Sequence, residues 1–281
     1  MTVALYVPGD RPDRFDKAMR SGADIVILDL EDAVAGDRKA EARAAVERFL
    51  LDHSAGERQH EDAPVQLRTS TVQLQVRLGD IGDLAVAGRF DVGLRVPKAG
   101  IDLLDRIVGE LGDASRRLHA IVEDAAGVAA LDAIAAHPAV ASVALGESDL
   151  RSDLGSSSPA MLEHLRIRLV LAVRAAGLDA PLMSVYPAIG DPAGLEEDCR
   201  AGAALGFGGR TAVHPKQIDV IRQAFAPSDA DRAWAHAVLD ALDAADGGVT
   251  TLADGQMVDE AMRLRAQRIL RAADAANRAR S

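Results

Sequence analysis

The sequence predicts a (β/α)8 barrel, and three features of the chain support this fold class. Short runs rich in aliphatic residues alternate with helical patterns about eight times, which is typical of parallel strands joined by crossover helices. Many of these runs end in a polar side chain, as barrel strands do at the end that carries the active site. The length of 281 residues suits a single barrel. An open doubly wound sheet is the alternative, but the sequence contains neither a G-x-G-x-x-G turn nor a Walker A loop.

The predicted strands are marked by apolar runs that stop at charged or polar residues. In IVILDLED at 25–32, Asp29, Glu31 and Asp32 follow a run long enough for a strand buried on both faces. Because unpaired buried carboxylates cost several kcal/mol, this strand is expected to end at water, a cation or basic partners. The predicted strands are 3–7, 25–29, 65–69, 92–96, 118–123, 142–146, 182–186 and 209–213.

Helical patterns fill the intervals between these strands. Asp191 is a plausible N-cap, with Pro192 at the first helical position. After Pro227 only helical patterns remain, so we expect a barrel at residues 1–227 and a C-terminal helical extension or lid at 228–281. The predicted helices are 37–50, 161–176, one that starts at Pro192, 228–245 and 257–276.

Composition argues against several classes of function. The net charge of -11 disfavours a nucleic-acid surface, because phosphate binding needs clustered Lys and Arg. No apolar run approaches the roughly 20 residues that span a bilayer. The single Cys199 cannot form an internal disulfide, and no signal-peptide pattern is present. We therefore expect a cytoplasmic protein that binds neither nucleic acid nor membrane.

Two acids after neighbouring predicted strands indicate a site for a divalent cation. Glu123 ends the strand at 118–123 and Asp149 follows the strand at 142–146, so their oxygens are expected to lie within reach of one ion. Mg²⁺ usually takes one or two protein carboxylates and leaves its other positions to water and substrate. The alternative is that both acids pair with arginines or cap helices.

The acids after the second predicted strand have two possible roles. Asp29, Glu31 and Asp32 would hold metal-bound waters and orient the metal ligands. Alternatively, they would form salt bridges with Arg38 or Lys39.

Other strand ends supply basic and polar side chains. Arg68 ends the predicted third strand, and its planar donor fork suits a carboxylate or a developing enolate oxygen. A Schiff-base role for Lys98 would need an apolar or cationic setting, whereas these strand ends are acidic. We expect Pro97, Lys98, Tyr186 and His214 to contact substrate, although a structural role also suits His214.

Several ordered motifs occur along nearly the whole chain. They are LYVPGDRPDRF at 5–15, ILDLEDAV at 27–34, Pro97-Lys98, SVYPAIGDPAGL at 184–195, LGFGGRTAVHPKQI at 205–218 and DGQMVDEAM at 254–262. Together they resemble citrate lyase β-subunit-like proteins of the HpcH/HpaI aldolase family, within the pyruvate and phosphoenolpyruvate barrel superfamily. The resemblance implies a Mg²⁺-dependent lyase that makes or cleaves the carbon–carbon bond of 3-hydroxy-dicarboxyl thioesters such as citryl-, malyl- or citramalyl-CoA.

The resemblance also implies roles for individual residues. They are metal ligation by Glu123 and Asp149, substrate contact by Arg68, a place near the metal waters for Glu31 and Asp32, and a catalytic acid or base at Asp259. In some members the acid corresponding to Asp259 reaches a neighbouring subunit, so a homo-oligomer is expected, as a trimer or a multiple of it. Two alternatives stay open: a citrate lyase β subunit that acts on an acyl-carrier-protein thioester, and a non-catalytic member.

Overall fold

Eight parallel strands form one sheet in the computed structural model, which describes residues 1–60, 72–112, 118–245 and 248–278. The strands are β1 (Thr2–Pro8), β2 (Ile25–Asp29), β3 (Gln73–Arg77), β4 (Gly93–Val96), β5 (Leu118–Val122), β6 (Val140–Leu145), β7 (Leu182–Met183) and β8 (Gly209–Ala212). Their order is β6-β5-β4-β3-β2-β1-β8-β7, and β6 also contacts β7. The sheet is therefore a nearly closed barrel, which confirms the predicted fold class.

Helices follow the strands of the barrel in turn along the chain, and two further helices lie near the C-terminus. They are α1 (Phe15–Met19), α2 (Lys39–His60), α3 (Leu84–Ala87), α4 (Ile101–Leu111), α5 (Ala125–Ala129), α6 (Leu131–Ala136), α7 (Glu147–Asp153), α8 (Pro159–Ala175), α9 (Pro192–Leu205), α10 (Ile218–Phe225), α11 (Asp229–Ala244) and α12 (Glu260–Arg278). Asp191 caps α9 as predicted, because its Oδ1 accepts a hydrogen bond of 3.0 Å from the N–H of Gly194. No helix of the described residues is long and apolar enough to cross a membrane.

The strand register places polar side chains in one layer across the barrel. All five residues of β2 are buried, as expected for a strand covered on both faces. Asp29 at the end of β2 is the register partner of Arg77 on β3, and Arg77 is the partner of Arg95 on β4. Because register partners on adjacent strands point to the same face, Arg77 and Arg95 lie side by side in the barrel interior.

The third strand differs from the prediction. It spans Gln73–Arg77 and pairs with both β2 and β4, whereas the prediction placed it at 65–69. Arg68, predicted to end this strand, lies outside the described residues. Both PVQLR at 64–68 and VQLQVR at 72–77 are apolar runs that end in arginine, so their local pattern does not distinguish them. In the structure, Arg77 ends the third strand.

Residues 222–281, together with Met1, form a compact unit separate from Thr2–Ile221. In this unit α11 and α12 pack around a buried apolar core formed by Ala235, Val238, Leu242, Val258 and Ala266. A short antiparallel hairpin, β9 (Thr250–Thr251) and β10 (Met257–Val258), lies between the two helices in sequence. The second predicted helix was placed from residue 257, so its first residues are a strand instead. Gly255 has φ +88, a left-handed conformation that suits the turn of this hairpin.

Candidate active site

A cluster of carboxylates surrounds Arg77 at the carboxyl ends of β2, β3 and β5. Arg77 Nη1 lies 3.5 Å from Asp29 Oδ2, and Nη2 lies 3.3 Å from Asp32 Oδ2 and 3.2 Å from Glu123 Oε1. Nη2 also contacts the carboxylate of Glu31. Arg77 is 8% exposed and Glu123 is 4% exposed, so water screens these charges weakly. One guanidinium cannot balance four carboxylates, and the cluster therefore attracts a further cation when its acids are ionised.

The basic residues of the neighbouring segment make other contacts. Arg38 forms ion pairs with Asp10 and Glu41. Lys39 Nζ donates to the backbone carbonyl oxygens of Leu30 and Glu31. The strand-end acids therefore pair with Arg77, a partner that the sequence did not identify.

Backbone groups hold the carboxylate of Glu123 from two sides. The N–H of Lys98 donates to Glu123 Oε2 at 3.0 Å, and Lys98 has φ +47, an uncommon conformation for a residue other than glycine. Such strain is often found at functional sites. On the other side, a Cβ at Gly146 would stand 2.4 Å from Glu123 Cγ and 2.6 Å from Oε1. Glu123 can therefore occupy this position only because residue 146 has no side chain.

Electrostatic coupling links Glu123 to other acids of the site. Burial raises the pKa of the Glu123 carboxyl, Arg77 and the Lys98 N–H oppose this shift, and the nearby Asp149 adds to it. Burial also raises the pKa of Glu31 to about 7, with Arg77 opposing and Asp32 and Glu123 contributing. The negative charges of these carboxylates repel one another, so ionisation of one disfavours ionisation of the others. A bound cation would reduce this repulsion. No group of three or more His, Cys, Asp or Glu side chains suited to one metal occurs among the described residues.

Asp149 lies in the first turn of α7, and a buried ion-pair network fixes the start of that helix. Arg166 donates to both oxygens of Glu147, at 2.8 and 2.9 Å, and to both oxygens of Asp198, at 2.7 and 3.2 Å. Arg210 contacts Asp198 at 2.7 Å. These bidentate contacts anchor Glu147, two residues before Asp149, to α8 and α9.

A second polar network crosses the barrel interior beside Arg77. Arg95 Nε donates to Gln75 Oε1 at 2.8 Å, and Nη1 donates to Tyr6 Oη at 3.3 Å. Gln75 Nε2 lies 3.2 Å from His119 Nε2, and His119 Nδ1 lies 2.8 Å from Ser142 Oγ. Because Gln75 Oε1 accepts from Arg95, its amide nitrogen donates to His119 Nε2, which requires a neutral imidazole protonated at Nδ1.

These groups open into a cavity of about 410 Å³ at the carboxyl ends of the strands. Its lining includes Tyr6, Asp29, Asp32, Arg77, Arg95, Glu123, Gly146, Asp149, Ser184 and Thr211. The cavity thus joins the two predicted metal ligands to two buried arginines. This arrangement suits a small, oxygen-rich, anionic ligand together with a divalent cation.

Four other predicted site residues, Pro97, Lys98, Tyr186 and His214, are not part of this cavity lining. Pro97 and Lys98 line a separate cavity of about 220 Å³ that Glu31 also lines. Tyr186 donates to Asp191 Oδ2 at 2.7 Å, and its ring centroid lies 5.3 Å from the guanidinium carbon of Arg210.

His214 and Asp259 both make local capping contacts. His214 Nδ1 accepts from the N–H of Lys216 at 3.1 Å, and its predicted contact with substrate stays a prediction. Asp259 lies in the C-terminal unit, where its Oδ1 accepts from the N–H groups of Ala261 and Met262 before α12. Its predicted catalytic role stays a prediction.

The prediction missed Arg77 and the network around Arg95. A charged residue inside the apolar run GLRVP was an available signal for Arg95. The contacts of Gln75 and His119 depend on the pairing of strands far apart in sequence, and no local pattern reveals them.

The chain is similar to known proteins along nearly its whole length. Residues 2–215 match the model of the HpcH/HpaI aldolase/citrate lyase family. A citrate lyase subunit beta-like protein of Mycobacterium tuberculosis is 36% identical over 278 residues, which cover 96% of this chain and 94% of that protein. A (3S)-malyl-CoA thioesterase of Cereibacter sphaeroides is 32% identical over 281 residues, with 96% and 94% covered. The crystal structure of CitE from Mycobacterium tuberculosis, in complex with magnesium, acetoacetate and coenzyme A, has a TM-score of 0.77 and 34% identity, and covers 97% of this chain and 98% of that chain.

Proposed function

Because the chain belongs to the HpcH/HpaI aldolase/citrate lyase family, we propose that it is a Mg²⁺-dependent carbon–carbon lyase of 3-hydroxy-dicarboxyl-CoA thioesters such as malyl-, citramalyl- or citryl-CoA. The observation that carries this proposal is the placement of Glu123, Asp149 and Arg77 around one cavity. A metal-binding acid pair and a substrate-facing guanidinium are the groups that this chemistry needs.

The residues present fit a magnesium ion. Glu123 and Asp149 supply two carboxylates, the number that Mg²⁺ commonly takes from a protein. Glu31 Oε2 is buried against Arg77 without hydrogen-bond geometry, and a metal-bound water would satisfy it. When bound, the ion would acidify the substrate hydroxyl and polarise the carbonyl of the oxo-acid half.

The protein's own residues would bind and orient the reacting oxygens. Arg77, at the end of the third strand, takes the role that was predicted for Arg68. Its Nε is buried without a hydrogen-bond partner, so this guanidinium keeps donor capacity for a developing oxyanion. Asp259 is proposed to exchange a proton with the acetyl carbon in a homo-oligomer, from a neighbouring subunit.

A coupled assay tests this proposal. Full-length protein is freed of metal with a chelator and supplied with malyl-, citramalyl- and citryl-CoA, with and without Mg²⁺. We expect acetyl-CoA and the matching oxo acid to form only with the metal. Equal turnover in metal-free buffer would contradict the proposal. The same panel on acyl-carrier protein separates a stand-alone lyase from a citrate lyase β subunit, and a chain that binds thioester without turnover is a non-catalytic member.

Thioester hydrolysis is a second candidate, favoured by the similarity to the (3S)-malyl-CoA thioesterase. The two reactions differ in their products. A lyase converts malyl-CoA into glyoxylate and acetyl-CoA, whereas a thioesterase releases malate and free CoA. Chromatography of the products from (3S)-malyl-CoA therefore decides between them.

A further inference from the structure

We propose that Arg95 binds a second carboxylate on the oxo-acid half of the substrate, so that the protein selects short dicarboxylic oxo acids over monocarboxylic ones. This inference rests on the proposed function, because it assigns the acid half of the same substrate to a place in the cavity. It goes further by naming the residue that determines specificity.

Arg95 is a buried cation without an acidic partner. Its side chain is 4% exposed, yet it forms no ion pair among the described residues. Nε and Nη1 donate to the neutral side chains of Gln75 and Tyr6, and the guanidinium carbon lies 5.7 Å from the centroid of the Tyr6 ring. Nη2 has no hydrogen-bond partner in the described part of the chain. A buried charge is costly unless it is paired, so an anion in the cavity would stabilise this arrangement.

The neighbours of Arg95 hold it in place without neutralising it. Gln75 is oriented by His119, whose other ring nitrogen contacts Ser142. Burial, together with the smaller effect of the nearby charge of Arg95, lowers the pKa of His119 to about 3, so this imidazole stays neutral. The network therefore supports a guanidinium that has no counter-ion among the described residues.

The position of Arg95 relative to the acid cluster sets the shape of the ligand. Arg77 and Arg95 are register partners, and their guanidinium carbons lie 5.6 and 5.7 Å from the centroid of the same Tyr6 ring. Arg77 contacts four carboxylates, including Glu123, whereas Arg95 contacts no carboxylate of the described residues. If the carbonyl group of an oxo acid lies at the Glu123 side of the cavity, the opposite end of the molecule would contact Arg95. A carboxylate at that end accepts the free donors of Arg95, and a methyl group leaves them unpaired.

Calorimetry on the Mg²⁺-loaded, full-length protein tests the assignment with two ligands of equal chain length. Fresh oxaloacetate carries a distal carboxylate, and 2-oxobutyrate carries a methyl group in its place. We expect oxaloacetate to bind at least about 10-fold more tightly, and Arg95→Gln to remove most of this preference while the Kd of 2-oxobutyrate changes by less than about 3-fold. Arg200→Gln removes an exposed arginine that pairs within α9, and this control should keep the wild-type ratio.

Three results would overturn the assignment to Arg95. They are equal affinity of the wild-type protein for both ligands, an unchanged ratio in Arg95→Gln, and, if that variant does not fold by circular dichroism, an unchanged ratio in Arg95→Lys. The lysine variant keeps the charge but lacks the two-pronged donor geometry, so it should weaken oxaloacetate selectively. Failure of the proposed function has another signature, namely no cleavage of any thioester by a protein that still discriminates between the two acids.

Discussion

Replacing Gly146 with alanine should misplace the Glu123 carboxylate and weaken Mg²⁺ binding. The new Cβ would stand 2.4 Å from Glu123 Cγ, so the acid must move by about 1 Å to reach an ordinary contact. That movement disturbs the hydrogen bond of 3.0 Å from Lys98 and the contact of 3.2 Å with Arg77. A hydrogen bond to a charged group contributes about 1.5–3 kcal/mol, which corresponds to roughly 10- to 100-fold in affinity.

Calorimetric titration of metal-free protein with Mg²⁺ measures this loss. Gly146 has φ -91 and ψ 82, so the alanine variant tests the contact with Glu123 rather than a left-handed backbone. Gly100→Ala is the matched control, because a Cβ at Gly100 meets nothing within 4 Å and its φ is -139. Both variants should keep the circular dichroism spectrum of the wild type. An unchanged Mg²⁺ affinity in Gly146→Ala would refute the role of Glu123 as a ligand held in this position.

Three further predictions concern Arg77, His119 and Asp259. Arg77→Lys keeps the charge but loses the donor fork, so kcat should fall at least about 10-fold with folding intact; near-normal kcat would leave Arg77 a structural role. The pKa of His119 is about 3 in the folded protein and about 6.5 in the unfolded chain, so the unfolded chain takes up the proton first as the pH falls. The free energy of unfolding should therefore be highest above pH 6.5 and should decrease towards pH 3, by up to about 5 kcal/mol. Urea unfolding of His119→Gln should lack this pH dependence, and parallel profiles for the two proteins would contradict it. If Asp259 acts in a neighbouring subunit, mixing inactive Glu123→Gln and Asp259→Asn proteins should restore part of the activity after verified subunit exchange, and no recovery would exclude a shared site.

The strand-end acids were predictable because a local pattern carries them. An apolar run followed directly by carboxylates, as at Asp29 and Glu123, indicates both a buried strand and the end at which it stops. The position of the third strand was not predictable, because two adjacent segments have the same alternation of apolar and polar residues and both end in arginine. Whether Arg68 or Arg77 ends the strand depends on hydrogen bonds to β2 and β4. These pairings between distant segments cannot be predicted from the sequence of one segment.

The partner of Arg95 could not be predicted from the sequence alone. Within GLRVP an arginine breaks an apolar strand, and the cost of burying it implies a partner without identifying one. The four carboxylates of the cluster form ion pairs with Arg77 on the adjacent strand, and among the described residues none pairs with Arg95. Arg95 is therefore a cation at the cavity wall whose hydrogen-bond acceptors, Gln75 and Tyr6, are neutral. Because its charge is not balanced by these groups, Arg95 is better suited to bind an anionic substrate than to form a structural ion pair.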